Sequence, residues 1–231
     1  IAHKSGFENF NLDLMFGLPD ATIEDSINDI QTAIRAEPTH ISFYQLTLEP
    51  NTYFHKFPPK LPDDETTFLT QSACQQLLNQ SGYKQYEISA YSLDNRQCSH
   101  NKNYWQFGDY LGIGAGAHGK ITKSLPGQII RTAKFKNPDQ YLASQDSFGS
   151  IHTILQNDLP LEFMMNHLRL SDGFYLDDYQ ARTGLDGKTL EPALTRNVQQ
   201  GLLIKQNNHY YCSEQGWNFL DTVLHQFVDS D

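Results

Sequence analysis

The chain has 231 residues, 39% of them apolar, with 14 Phe and 12 Tyr; that is enough large apolar surface for a real core and excludes a disordered chain. Seventeen Lys and Arg against 27 Asp and Glu give a formal charge of −10, which opposes nonspecific adhesion to nucleic acid or anionic lipid. Cys74, Cys98 and Cys212 are far apart, a pattern of free thiols in a reducing, cytoplasmic compartment rather than a disulfide framework. No apolar run approaches the roughly 18 to 20 residues of a membrane span, and no signal peptide opens the chain. The first residue is Ile1 and a strand-like run starts at Phe10, so the chain is expected to begin inside a longer protein.

Phe10 to Leu18 reads as a strand of a parallel sheet buried on both faces, with Asp13 as its anomaly. Thr22 with Asp25 predicts a helix cap, and Ile23, Ile27, Ile30 and Ile34 recur at helical spacing until Pro38. Ile41 to Leu48 is a second strand, so strand, helix and strand form a right-handed parallel unit. After a proline-punctuated loop, Leu69, Ala73 and Leu77 line a helix that ends at Gly82. Tyr86 to Tyr91 and the glycine-rich Tyr110 to Ile121 read as strands, with Ile129 to Phe135 as a pairing partner, while Cys98 to Trp105 reads as a loop. From about Ile151 the pattern turns helical, with helices near 161–168, 176–183 and 190–201. A hairpin turns at Asn207-Asn208, and a last helix capped by Ser213 carries Trp217, Leu220, Leu224 and Phe227 on one stripe. The expected domains are therefore 1–150 and 151–231, the second winged-helix-like. Its five basic residues against eleven acidic ones oppose DNA binding.

Asp13 near a strand end needs a partner, either backbone amides or the hydroxyls or amine of a ligand. The run Gly112 to Ala117 fits a dinucleotide fingerprint in spelling but lacks the following helix and acidic residue, so it points to close backbone packing. His100-Asn101-Lys102-Asn103-Tyr104-Trp105 places an imidazole near two large aromatics, which suits a porphyrin with an axial histidine. The structural alternative makes Tyr104 and Trp105 loop anchors and His100 a surface histidine. Cys98 and His100 fall short of a zinc ligand set. No local hydrolase signature is present.

Taken together, Asn11 to Pro19, Tyr44 to Thr52, Gly82-Tyr83, Tyr86 to Ser89, the His100 to Trp105 run and Tyr110 to His118 resemble the oxygen-independent coproporphyrinogen III oxidase-like family of radical SAM proteins. The run HNKNYW resembles the signature of its HemW-type haem chaperone branch. The resemblance implies an α/β fold: the C-terminal portion of a partial (β/α)6 barrel followed by the small helical domain. It implies S-adenosylmethionine and a 4Fe-4S cluster in the full-length protein, the cluster's Cys-x-x-x-Cys-x-x-Cys motif lying outside this chain. Asp13, Thr47 and His118 correspond to S-adenosylmethionine contacts. His100 corresponds to the haem iron ligand, with Asn101, Tyr104 and Trp105 as companions. Two functions follow as expectations: a chaperone that delivers haem to acceptor proteins, or a radical decarboxylase of coproporphyrinogen III. Membrane-associated acceptors and a dimer are compatible with the first; nucleic acid is not expected as a partner.

Overall fold

A computed structural model describes residues 1–123 and 128–228, in two compact units, 1–98 and 99–231. In the first, β1 (Asn11–Phe16), α1 (Ile23–Arg35) and β2 (His40–Gln45) form the expected unit, with β1 parallel to β2. The cap of α1 forms as read: the Thr22 hydroxyl accepts the Asp25 N–H, and the Asp25 carboxylate accepts the Thr22 N–H at 2.9 Å. A short α2 (Tyr53–Lys56) precedes α3 (Asp64–Gln80), which packs on α1. The sheet is completed by β3 (Lys84–Glu87) and β4 (Ala90–Ser92), in the order β1-β2-β4-β3.

The first strand departs from its expected burial on both faces. Asn11 and Asp13 are exposed, while Leu12, Leu14 and Phe16 face Ile30, Ala33, Cys74 and Leu78 of α1 and α3. One face of the sheet is therefore apolar and the other polar, the alternation of a strand whose helices lie on a single side. The single strand expected at Tyr86 to Tyr91 is instead a hairpin, which turns at Ile88-Ser89. There the Gln85 side chain donates to the Ile88 carbonyl at 2.9 Å, satisfying the turn without glycine.

The second unit opens with α4 (Ser99–Trp105), a helix where a loop was expected. Of the expected strand from Tyr110 to Ile121 only β5 (His118–Thr122) is regular; Gly112 to Ala117 form a connection. A Cβ on Gly112 would collide with the His118 carbonyl, so the glycines serve close backbone packing, as read. β6 (Ile129–Lys134) pairs with β5 as expected, and α5 (Pro138–Ala143) leads to β7 (Phe148–Thr153) on its other side. Then follow α6 (Leu159–His167), β8 (Phe174–Tyr175), α7 (Leu176–Thr183), α8 (Ala193–Gln199), β9 (Leu203–Gln206) and β10 (His209–Cys212). The hairpin turns at Asn207-Asn208 as predicted, and a three-stranded sheet orders β8-β10-β9. The expected last helix is two, α9 (Glu214–Asn218) and α10 (Leu220–His225), broken at Phe219, whose φ of −119° and ψ of 46° leave the helical region.

Two buried polar groups stand out in this unit. Lys120 is 1% exposed, yet its ammonium donates to the Phe107 carbonyl and Asp109 Oδ1, both at 2.9 Å, and to Thr122 Oγ1 at 3.3 Å. All three N–H donors are thereby satisfied, and the charge also sits 4.2 Å from the Phe107 ring centroid. Burial pulls its pKa below the usual lysine value, opposed by the bond to Asp109. His167 lies in the core stacked on Phe163 at 4.1 Å, with Nδ1 facing the Gly173 carbonyl at 3.4 Å, and burial pushes its pKa down to about 4.

Two outcomes are expected. The unfolded chain protonates His167 near 6.5 and the folded one near 4, so its contribution is complete above pH 6.5 and is lost as the pH falls toward 4, on the order of 3 kcal/mol. Urea midpoints at neutral and acid pH should therefore converge in His167→Gln relative to wild type; parallel pH profiles would refute the assignment. Lys120→Met leaves the Phe107 carbonyl and Asp109 without their partner and should lower stability by roughly 3 kcal/mol. A loss within about 0.5 kcal/mol, the range of an ordinary surface change, would mean the ammonium is not a structural tie.

Candidate functional site

On the polar face of the first sheet, the parallel register sets Asn11 beside His40 and Asp13 beside Ser42. Asp13 Oδ1 accepts from the Asn11 side-chain amide at 2.7 Å, a neighbouring side chain rather than a backbone amide. Asn11 Oδ1 in turn lies 2.7 Å from His40 Nδ1 and 3.2 Å from the Ser42 hydroxyl. His40 Nε2 lies 2.8 Å from the Tyr86 hydroxyl, whose oxygen accepts the Cys98 backbone N–H at 3.2 Å. His40, Tyr86, Glu87 and Ser92 are all buried there. Burial lowers the His40 pKa, with Glu87 and Asp13 opposing, and burial raises that of Tyr86 to about 12. At neutral pH the histidine is thus neutral and the phenol protonated. The exposed Asp13 carboxylate can accept hydrogen bonds from a ligand's hydroxyls or amine.

Thr47 is exposed beyond the end of β2, where its carbonyl accepts the Glu49 N–H at 3.1 Å. His118 is exposed as the first residue of β5 and belongs to the second unit, whereas Asp13 and Thr47 belong to the first.

The four residues of the HNKNYW run expected to act together lie on α4, which pairs them two by two. A four-residue spacing is one helical turn, so His100 shares a face with Tyr104 and Asn101 with Trp105. The exposed His100 ring meets Tyr104 edge-on at 4.7 Å. Tyr104 meets Tyr110 at 4.3 Å. The Tyr110 hydroxyl accepts from Arg131 at 2.9 Å, and Arg131 pairs with Glu162 at 2.6 Å. The exposed imidazole is therefore braced on one side by Tyr104. Trp105 lies under the Arg169 guanidinium, 4.3 Å from its ring centroid. The helix ends tightly: the Gly108 N–H bonds the Asn103 carbonyl at 2.7 Å, and a Cβ on Gly108 would collide with the Asn103 side chain.

Cys74 and Cys212 do not suit an iron-sulfur cluster. Burial raises the Cys74 thiol to about 11 and the Cys212 thiol to about 12, the wrong direction for thiolate ligands. Among the described residues no group of three or more His, Cys, Asp or Glu could hold a metal ion. Of the groups in these networks, His40 and Lys120 were not singled out from the sequence, and Asn11 and Tyr86 entered only as members of longer runs. Asn11/Asp13 and His40/Ser42 did carry a signal, because two polar residues two apart in each adjacent strand mark one polar face.

Residues 154–219 match the family described as the HemN C-terminal domain. The chain is 42% identical to heme chaperone HemW of Escherichia coli over 99% of its own length and 60% of that protein. It is 41% identical to the HemW of Haemophilus influenzae, over 100% and 60% respectively. The chain thus spans about 60% of the length of these curated relatives. Its fold is similar to that of Escherichia coli coproporphyrinogen III oxidase HemN, described as a radical SAM enzyme, with a TM-score of 0.76 at 16% identity over 98% of this chain and 56% of that one. Over its whole length the chain is thus similar to the HemW proteins, residues 154–219 match the HemN C-terminal domain, and the fold is that of the C-terminal part of HemN.

Proposed function

We propose that this protein binds haem and hands it to acceptor proteins in the cytoplasm. The observation that carries the proposal is His100 on α4, an exposed imidazole backed edge-on by Tyr104 within the HNKNYW run of a chain 42% identical to a protein named a heme chaperone. Neutral imidazole is a common axial ligand of haem iron. In this reading His100 is the iron ligand, and Asn101, Tyr104 and Trp105 shape the helix that presents it. S-adenosylmethionine is a second ligand, contacted by Asp13, Thr47 and His118. The cluster that accompanies it would be held by residues other than those described. The oxidase alternative rests on fold likeness at 16% identity, which carries no reaction.

In finer structure, we propose that the first sheet forms part of a (β/α)6 barrel and that 151–231 form a winged-helix-like domain. The parallel pair β1 and β2 supports the former. The β9–β10 hairpin beside α7 and α8, and a matched family domain that begins at residue 154, support the latter. This proposed division near 150 differs from the packing division at 98/99.

Haem titration of the protein made from its full coding sequence tests the reading. His100→Ala, which preserves helix propensity, should weaken binding by at least about tenfold and shift the Soret band. His152→Ala, at an exposed position of β7, should change neither. Equal haem affinity and spectrum in wild type and His100→Ala, with unchanged thermal unfolding, would remove His100 as the ligand.

A further inference from the structure

The polar face of the first sheet carries more order than a solvated surface needs. A carboxylate only accepts hydrogen bonds, so the Asn11 group 2.7 Å from Asp13 Oδ1 must be its amide N–H. That turns the Asn11 carbonyl toward His40 and Ser42, 2.7 and 3.2 Å away, and requires the His40 proton on Nδ1. A neutral imidazole then offers a bare Nε2 lone pair, which the Tyr86 hydroxyl 2.8 Å away fills by donating. The Tyr86 oxygen accepts the Cys98 N–H at 3.2 Å. Each link from Cys98 to Asp13 therefore donates in one direction, and two members of the line, His40 and Tyr86, are 5% and 3% exposed. Both rings are also packed edge to face at 5.6 Å.

We infer that His40, acting through Asn11, is a positioning residue for the Asp13 carboxylate, holding it at the orientation in which it receives S-adenosylmethionine. The inference rests on the reading of Asp13 as a contact of that molecule. Asn11 alone, exposed on its strand, would sample several amide orientations, including the flipped one that opposes a carbonyl to the carboxylate. The His40 tautomer excludes the flip, because Nδ1–H accepts nothing from an amide NH2. The buried Tyr86 hydroxyl fixes the tautomer, and the backbone of Cys98 fixes the hydroxyl. Ser42 adds a second donor to the same carbonyl. Such outer partners commonly set the orientation of a ligand-contacting group without touching the ligand.

The test uses protein from the full coding sequence, reconstituted anaerobically, with S-adenosylmethionine titrated calorimetrically and imidazole 15N shifts recorded by NMR. Asp13→Ala should weaken binding by about tenfold or more, as loss of a charge-assisted hydrogen bond does. Asn11→Leu and His40→Phe should weaken it by roughly fivefold to tenfold. His40→Asn, whose amide reaches the Nδ1 position, should restore most of the affinity. In wild type the His40 signal should be that of the Nδ1–H tautomer, and Tyr86→Phe, which removes the donor to Nε2, should abolish that preference. If Asp13→Ala weakens binding while Asn11→Leu and His40→Phe bind as wild type, the positioning role is overturned and the reading of Asp13 stands. If Asp13→Ala binds as wild type, that reading fails and the role toward this cofactor fails with it; the tautomer then shows separately whether the relay exists. Because Asn11 is exposed, Asn11→Leu keeps the test decisive even if His40→Phe fails to fold.

Discussion

The buried ammonium of Lys120 is the point on which the second unit turns. An isolated charge with 1% exposure would be prohibitively costly, and it is tolerated because the chain brings it a carbonyl, a carboxylate, a hydroxyl and an aromatic face at once. Those partners come from two places: Phe107 and Asp109 follow α4, and Thr122 closes β5. Asp109 adds two further bonds to Thr122, from its N–H and its hydroxyl, both at 2.8 Å. The exit of α4 is thus locked to the edge of a sheet before any apolar packing is counted. Seven residues make too short a helix to stand alone in water, and α4 persists because its far end is tied down in this way.

The first unit solves a different problem. Its sheet has helices on one side, so one row of each strand is apolar and the other is left to polar groups. On that second side burial and polarity coincide, and the structure satisfies the buried groups with each other: imidazole with phenol, phenol with amide, amide with carboxylate. Hydrogen bonds arranged so that each group donates forward polarise one another. The order is carried from a buried ring to an exposed carboxylate, where a rigid acceptor has value.

What the sequence discloses follows from which physics is local. The α1 cap is legible because Thr22 and Asp25 bond each other, and the Asn207-Asn208 turn because those residues suit positive φ, as Asn207 shows at 58°. The hairpin at Ile88-Ser89 is hidden because its turn has no glycine or proline and is stabilised instead by the side chain of Gln85. The residues of α4 carry no apolar period, and β7 is exposed along its whole length, so neither announces itself by pattern. The residues proposed to meet haem were legible through likeness to a known signature, whereas the spacing of His100 and Tyr104 becomes meaningful only once the segment is helical. Lys120 and His40 escaped because burial of a basic side chain is a tertiary fact: nothing in the neighbouring residues distinguishes a lysine in water from one coordinated by backbone.

Among the described residues β1 lies at the margin of its sheet, which has a consequence for the barrel proposed above: that edge is where a further strand would pair. A marginal strand is a template for any other strand that can pair with it, and proteins usually blunt such margins with lysine, proline or a bulge. The strand reads Asn-Leu-Asp-Leu-Met-Phe and has none of these; its single charge is Asp13. A newcomer that slips by one residue would turn an apolar row toward that carboxylate, while the correct alignment sets polar beside polar and apolar beside apolar. Asp13 would therefore penalise a misregistered strand along this edge, where its charge would meet an apolar row.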